Sequence, residues 1–217
     1  DNPAACIMDY LSHPDGYPGT DRSDIYVPDF AAFADLCDEK VQRRDGDWEP
    51  RYRLWGVYSL QEDPKETLRR MLATCDAELY ERADGLIGIR GGQWTPPTIT
   101  LTERDILSYD LGQGSDRFAT FTAAKSAYTE KKQDFQPTEA KRWRNKADQA
   151  RRGPIVEDFV VDMVPSSFQA QRLAKIFERK SNPDWKGTIR TNMFGLRLRD
   201  QRTVRIVIPE LEIDGSF

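Results

Sequence analysis

The sequence predicts an α+β fold, and three observations carry that prediction. Tyr52–Leu60 is rich in aromatic and β-branched residues, as a half-buried strand requires. Directly after it, Asp63, Pro64 and Glu66 form a helix start: an N-cap, a proline at the first helical position and a capping-box acid. Leu68, Met71, Leu72, Cys75 and Leu79 then recur at helical spacing, which predicts one helix over Pro64–Tyr80. Elsewhere helical and strand patterns mix without a regular βαβ repeat, which disfavours a doubly wound sheet.

The remaining elements follow in order. Asn2-Pro3 opens a helix with Ile7, Met8 and Leu11 on its stripe, stopped at His13-Pro14 because proline disfavours a helical residue before it. Asp15–Asp24 reads as a turn-rich loop. Val27-Pro28 starts a second helix, buried through Phe30, Phe33, Ala34, Cys37 and Val41. Asp84-Gly85 marks a tight turn, with Leu86, Ile87 and Ile89 as the returning strand. Thr98–Thr102 alternates, so one face is covered and the other wet. Leu111-Gly112-Gln113-Gly114-Ser115 is the expected boundary between two domains, 1–111 and 112–217. The second domain reads as strands over Arg117–Tyr128, Ile155–Val164, Thr188–Leu198 and Thr203–Ile208. Its one helix is capped by Ser166 or Ser167 and striped by Ala170, Leu173, Ala174 and Phe177.

Composition narrows the function. The chain has 217 residues, of which 31% are charged and 38% hydrophobic, and it carries a net charge of −4. That charge points neither to nucleic acid nor to an acidic membrane surface. No apolar run reaches the ~20 residues of a membrane helix. The missing initiator Met makes a piece cut from a longer protein the expectation. Cys6, Cys37 and Cys75 are odd in number and lack CxxC spacing, which predicts three buried free thiols rather than a disulfide or zinc site.

Candidate chemistry is sparse. His13 is the single histidine, so mechanisms that need two are excluded; beside Pro14 it reads as a helix-end residue. No GxSxG elbow, P-loop or dinucleotide fingerprint occurs. Gly85, Gly88, Gly91 and Gly92 lie in a hairpin region and read as turn and bulge glycines. Asp45-Gly46-Asp47 is too short a run of oxygens for a calcium loop and reads as a solvated turn. Asp35, Asp38 and Glu39 share a helix, mostly off its apolar stripe, and read as a wet face. Lys141, Arg142, Arg144, Lys146, Arg151 and Arg152 form the densest basic segment, with Trp143 among them. Bases with an aromatic suit single-stranded nucleic acid, but Glu139 and Asp148 interrupt the run. A solvated linker or an inter-subunit contact is the favoured reading.

Several segments resemble a known family. NPAACIMDYLSHPDGY (Asn2–Tyr17), FAAFADLCDEKV (Phe30–Val41), EPRYRLWGVYSL with its following helix, Ala150–Arg199 and the closing EIDGSF (Glu212–Phe217) are similar, in order, to the middle of phage tail-tip hub proteins. These are the host-specificity or tip-attachment proteins of long-tailed phages, prophages and gene transfer agents. Lys131–Arg152 matches least, being more basic and poorly patterned. The resemblance implies a small helix-plus-antiparallel-sheet domain followed by a β-rich, barrel-like domain. It implies a homotrimeric, non-enzymatic ring that closes the tail tube, seats fibres or receptor-binding parts, and contacts other tail-tip and tail-tube proteins. Contact with the host surface would be indirect. The place would be the virion tail tip, after assembly in the bacterial cytoplasm. No catalytic, cofactor-binding or metal-binding residue comes with it; no cofactor, nucleic acid or membrane insertion is expected. The alternatives are a host-envelope carbohydrate-binding module using Trp48, Trp55, Trp94, Trp143 and Trp185, and an envelope-degrading hydrolase with two carboxylates.

Overall fold

The computed structural model describes residues 1–114, 120–130, 136–199 and 201–217. The expected Ser115, Arg117 and Phe118, and the first part of Lys131–Arg152, lie outside the described residues.

In chain order the fold begins with α1 (Pro3–Ser12) and α2 (Val27–Asp38), then the hairpin β1 (Lys40–Gln42) and β2 (Trp48–Pro50). Next come α3 (Pro64–Ala73) and a second hairpin, β3 (Ala77–Glu81) and β4 (Ile87–Gly91). β5 (Thr100–Leu101), β6 (Ile106–Gln113), β7 (Ala123–Glu130), β8 (Gln136–Glu139) and β9 (Trp143–Arg144) follow. The chain then forms α4 (Lys146–Arg152), β10 (Val156–Val160), α5 (Ser167–Ser181), β11 (Trp185–Thr191), β12 (Arg205–Ile208) and β13 (Ile213–Ser216).

The class is α+β, and the starts of α1, α2, α3 and α5 were legible. Asn2 caps α1 by accepting from the Ala4 amide at 3.0 Å, while its own amide donates to the Ala34 carbonyl and ties α1 to α2. Asp63 caps α3 and Ser166 caps α5, the latter accepting from the Phe168 and Gln169 amides. Antiparallel pairing dominates, with two parallel exceptions: β10 on β7 and β12 on β5. β10, β7 and β8 run in that order with β9 also on β7; β13-β12-β5 and β11-β6 are separate sheets. These sheets are open among the described residues, so the expected barrel-like half is not a closed barrel. It also holds two helices rather than one, because Asn145 caps the short α4 that the basic composition had masked.

Three further expectations need correction. The helix predicted to Tyr80 ends at Ala73. The Thr74 hydroxyl takes the Met71 carbonyl, and Asp76 enters the left-handed region at φ 52°, turning Leu79 onto β3. The strand expected at Thr188–Leu198 is displaced: Trp185–Thr191 pairs with β6, and Met193–Leu198 is a 3-10 turn capped by Asn192. Tyr52–Leu60 is extended but has no ladder partner. It is a strap whose backbone groups are satisfied one by one from different elements. The Tyr52 amide donates to the Cys37 carbonyl, Leu54 to Asp1 and Trp55 to Met163. Arg53 is served by a side chain: its amide donates to Gln169 Oε1 at 3.0 Å, and its carbonyl accepts from Gln169 Nε2 at 2.9 Å.

The main core explains why the strap is held. It gathers Ile7, Leu11, Phe30, Phe33 and Cys37 from the first helices with Tyr52 and Leu54 of the strap. Val161, Met163, Val164, Ala170 and Leu173 join them from the distal half. Burial of such a side chain contributes about 1.5–3 kcal/mol. The expected boundary at Leu111-Gly112 falls inside β6, and residues on both sides of it share this core. Two smaller clusters complete the packing. Phe121, Ala124, Trp143 and Ala174 form one; Ile206, Ile208 and Ile213 form the other.

Gln169 is 1% exposed and also donates to the Thr74 carbonyl at 2.8 Å. Gln169→Leu leaves three buried backbone groups unpaired, and Gln169→Glu keeps the acceptor but removes the donor. We expect the leucine variant to lose about 2–4 kcal/mol of unfolding free energy in a urea titration, and the glutamate variant also to lose stability.

Candidate functional site

The residues singled out in the sequence do not converge. His13 is exposed at the end of α1, where its Nδ1 accepts the Asp15 amide at 3.1 Å, so the ring serves its own turn. Asp35, Asp38 and Glu39 are exposed as expected, and arginines of the strap take two of them: Arg53 meets Asp38 at 2.5 Å and Arg51 meets Glu39 at 2.7 Å. Arg43 reaches both Asp45 and Asp47, filling with a guanidinium the place a cation would need. Gly85 stands at φ 83° in the hairpin turn, and a Cβ on Gly91 would lie 2.3 Å from the Asp76 carbonyl oxygen. Among the described residues, no cluster of three His, Cys, Asp or Glu is arranged to hold a metal ion. No helix among them is long and apolar enough to cross a membrane.

Electrostatics separates these carboxylates from a hydrolytic pair. A general acid needs its pKa raised. Here hydrogen bonds from Arg53, Arg43, Arg69 and Arg205 hold Asp38, Asp45, Glu66 and Asp214 below the usual carboxylate range. Asp84 is lowered first by the Leu86 amide and then by Arg82.

The tryptophans divide. Trp143 is buried against Phe121 and Ala174, and Trp185 is half-buried against the isoleucine cluster. Trp55 is half-buried on the strap. Trp48 at 63% and Trp94 at 66% exposure are the two free to meet a ligand.

Two surfaces remain. One is apolar: β6 and β10 each pair along one edge among the described residues, and they expose Leu107, Tyr109, Val156 and Val160. The Met193–Leu198 turn beside β6 exposes Met193 and Leu196; the Asn192 amide anchors it to the Asp105 carbonyl. The second surface is basic. The segment from Lys141 to Arg152, expected as a solvated linker or an inter-subunit contact, is not an unstructured linker but contains β9 and α4. Trp143 of β9 points into the core, and its neighbours Arg142 and Arg144 point out. With Lys146 and Gln149 they line a cleft of about 550 Å³. The signal in the sequence was the alternation Arg-Trp-Arg; what it lacked was any indication that β7 would fix that strand.

Comparison with known proteins gives similarity of fold only. No family model and no curated protein matches the chain. Among solved structures it is similar to the tail protein from Neisseria meningitidis MC58, with 16% identity and a TM-score of 0.48 over 77% of this chain and 52% of that one. It is also similar to the 43 kDa tail protein of prophage MuSo2 from Shewanella oneidensis, with 15% identity and a TM-score of 0.42 over 74% of this chain and 48% of that one. The chain thus spans about half the length of each.

The thiols are free, and Cys37 and Cys75 are buried; Cys6 is half-buried. Burial pushes Cys37 up to about 12 and Cys75 well above its ordinary value. Tyr52 is also pushed to about 12 by burial, and Tyr128 to about 12 first by its hydrogen bond to the Glu130 carboxylate. Thiol reagents at pH 8 should therefore modify Cys37 and Cys75 only on unfolding. All four groups keep their protons more tightly when folded. The stability this contributes is complete below their ordinary values of 9.0 and 10.0 and is lost as pH rises towards 12. Urea midpoints measured from pH 8 to 11.5 should fall progressively across that window.

Proposed function

We propose that this chain is a structural, non-enzymatic segment of a phage or prophage tail, placed in the tip hub. In this reading it assembles as a homotrimer, helps to close the tail tube, and seats fibre or receptor-binding parts against other tail-tip and tail-tube proteins. Host contact is indirect, and assembly in the bacterial cytoplasm precedes its place in the virion. The observation that carries the reading is the apolar surface on open strand edges: Leu107 and Tyr109 on β6, Val156 and Val160 on β10. Unpaired edges with large apolar side chains are a hazard for a free protein and a resource for an assembled one. The segments that resemble tail-tip hub proteins support it. Asn2–Tyr17, Phe30–Val41, the strap and Ala150–Arg199 all contribute to one core, so the resemblance falls on residues that position one another.

A second reading rests on Trp48 and Trp94. Both are exposed, as an envelope-carbohydrate module would require.

Electron microscopy of prophage-induced particles, labelled with antibody against this chain, tests the first reading. Label is expected at the distal tail tip. Intact tails with accessible tips and no label would sink it, and binding of the purified chain to envelope sugars, lost on Trp48→Ala or Trp94→Ala, would favour the second.

A further inference from the structure

The basic cleft is built, not merely composed of surface cations. β9 pairs antiparallel with β7, matching Trp143 with Ala124 and Arg144 with Ala123. Burial of Trp143 locks that strand, so Arg142 and Arg144 emerge together on the outer face. The next residue fixes the third cation. The Asn145 amide donates to the Thr122 carbonyl, its side-chain oxygen accepts the Asp148 amide, and its side-chain nitrogen donates to Glu178 at 3.1 Å. Lys146 therefore begins α4 at the rim of the cleft.

Three nearby carboxylates are already committed. Asp148 pairs with Arg152, whose guanidinium also bonds Thr120. Glu139 pairs with Lys125 at 2.5 Å, and Glu178 accepts from Asn145 and Asn182. Asp158 lies along β10 beside Lys125 and does not line the cleft. Arg142, Arg144 and Lys146 make no ion pair among the described residues. In a chain of net charge −4, three cations around one cavity with no acid among the described residues of its lining are a local arrangement, not a general excess.

Cleft chemistry narrows the ligand. Two guanidinium forks, an ammonium and the Gln149 amide suit a tetrahedral oxyanion. Among the described residues the rest of the wall is aliphatic, from Ala123, Ala150, Pro154 and Val156, and no aromatic ring lines it. Trp143, the aromatic within the basic run, is in the core, so the described lining offers no stacking platform of the kind single-stranded nucleic acid uses. We infer that the cleft is a binding site for phosphate groups carried on an aliphatic scaffold, such as a phosphorylated sugar or polyol chain. This site stands whether or not the chain belongs to a tail.

Calorimetric titration of the purified chain at fixed ionic strength tests it, with glucose 6-phosphate, glucose, a short inorganic polyphosphate and an oligothymidylate of equal charge as probes. Glucose 6-phosphate and polyphosphate should bind and glucose should not. Arg142→Ser with Arg144→Ser should weaken binding by at least about tenfold for each arginine, the loss of one charge-assisted hydrogen bond apiece. Lys146→Gln, at an exposed helix start, provides a second variant whose folding does not depend on β9, and it too should weaken binding. No binding of either phosphate probe, or unchanged affinity in variants with wild-type melting, would overturn the site. Tighter binding of oligothymidylate than of polyphosphate would overturn the aliphatic assignment and give the cleft to nucleic acid.

Discussion

A strap without a strand partner sets the terms for the rest of this fold. Residues 52–55 cross the main core extended, and every peptide group there has to find a bond outside a ladder. α1 contributes through the Asp1 carbonyl that precedes it, α2 through the Cys37 carbonyl, and the turn after β10 through Met163. α5 contributes a whole side chain, because Gln169 imitates a strand edge by offering one acceptor and one donor to Arg53. Gly56 follows for a steric reason: a Cβ there would meet Met163 Cγ at 2.5 Å. The start of α5 is fastened at the same seam. Ser166 donates to the Glu49 carboxylate, and Arg172 pairs with Glu49 at 2.6 Å while donating to the Arg51 carbonyl. Loss of any one of these leaves a polar group stranded in an apolar layer, which costs more than a missing surface contact.

Arginine performs most of the electrostatic work around that seam. Arg70 bridges Glu62 and Asp162, and Arg202 with Lys180 holds Asp76 in its left-handed turn. The acids so engaged are structural clasps. The basic cleft is the inverse case, where Glu139, Asp148 and Glu178 are spent on other partners and three cations face solvent. Two surfaces of different character result: open strand edges that expose apolar side chains, and a positively charged cleft.

Much of the fold was legible because its signals are local. The caps at Asn2, Asp63 and Ser166, the prolines at helix starts, the Asp84-Gly85 turn and the stripes of α1, α2 and α5 each act within a few residues. The basic run was seen, but its cleft was not, since that depends on β7 lying alongside Trp143.

The sequence by itself determined the starts of α1, α2, α3 and α5, the α+β class and the identity of the buried apolar stripes, because capping and periodicity are short-range effects. Tertiary structure decided the rest. Aromatic and β-branched content marks Tyr52–Leu60 as extended, yet whether an extended segment becomes a strand depends on a distant partner, and here Gln169, 116 residues away, takes that place. Glycine marks Leu111–Gly114 as a linker, yet β11 captures most of it as strand β6. Leu79 fits a helical stripe, yet the left-handed Asp76, held by Lys180 and Arg202, turns it into a sheet. In each case a local preference of about 1 kcal/mol or less was outweighed by long-range hydrogen bonds and burial.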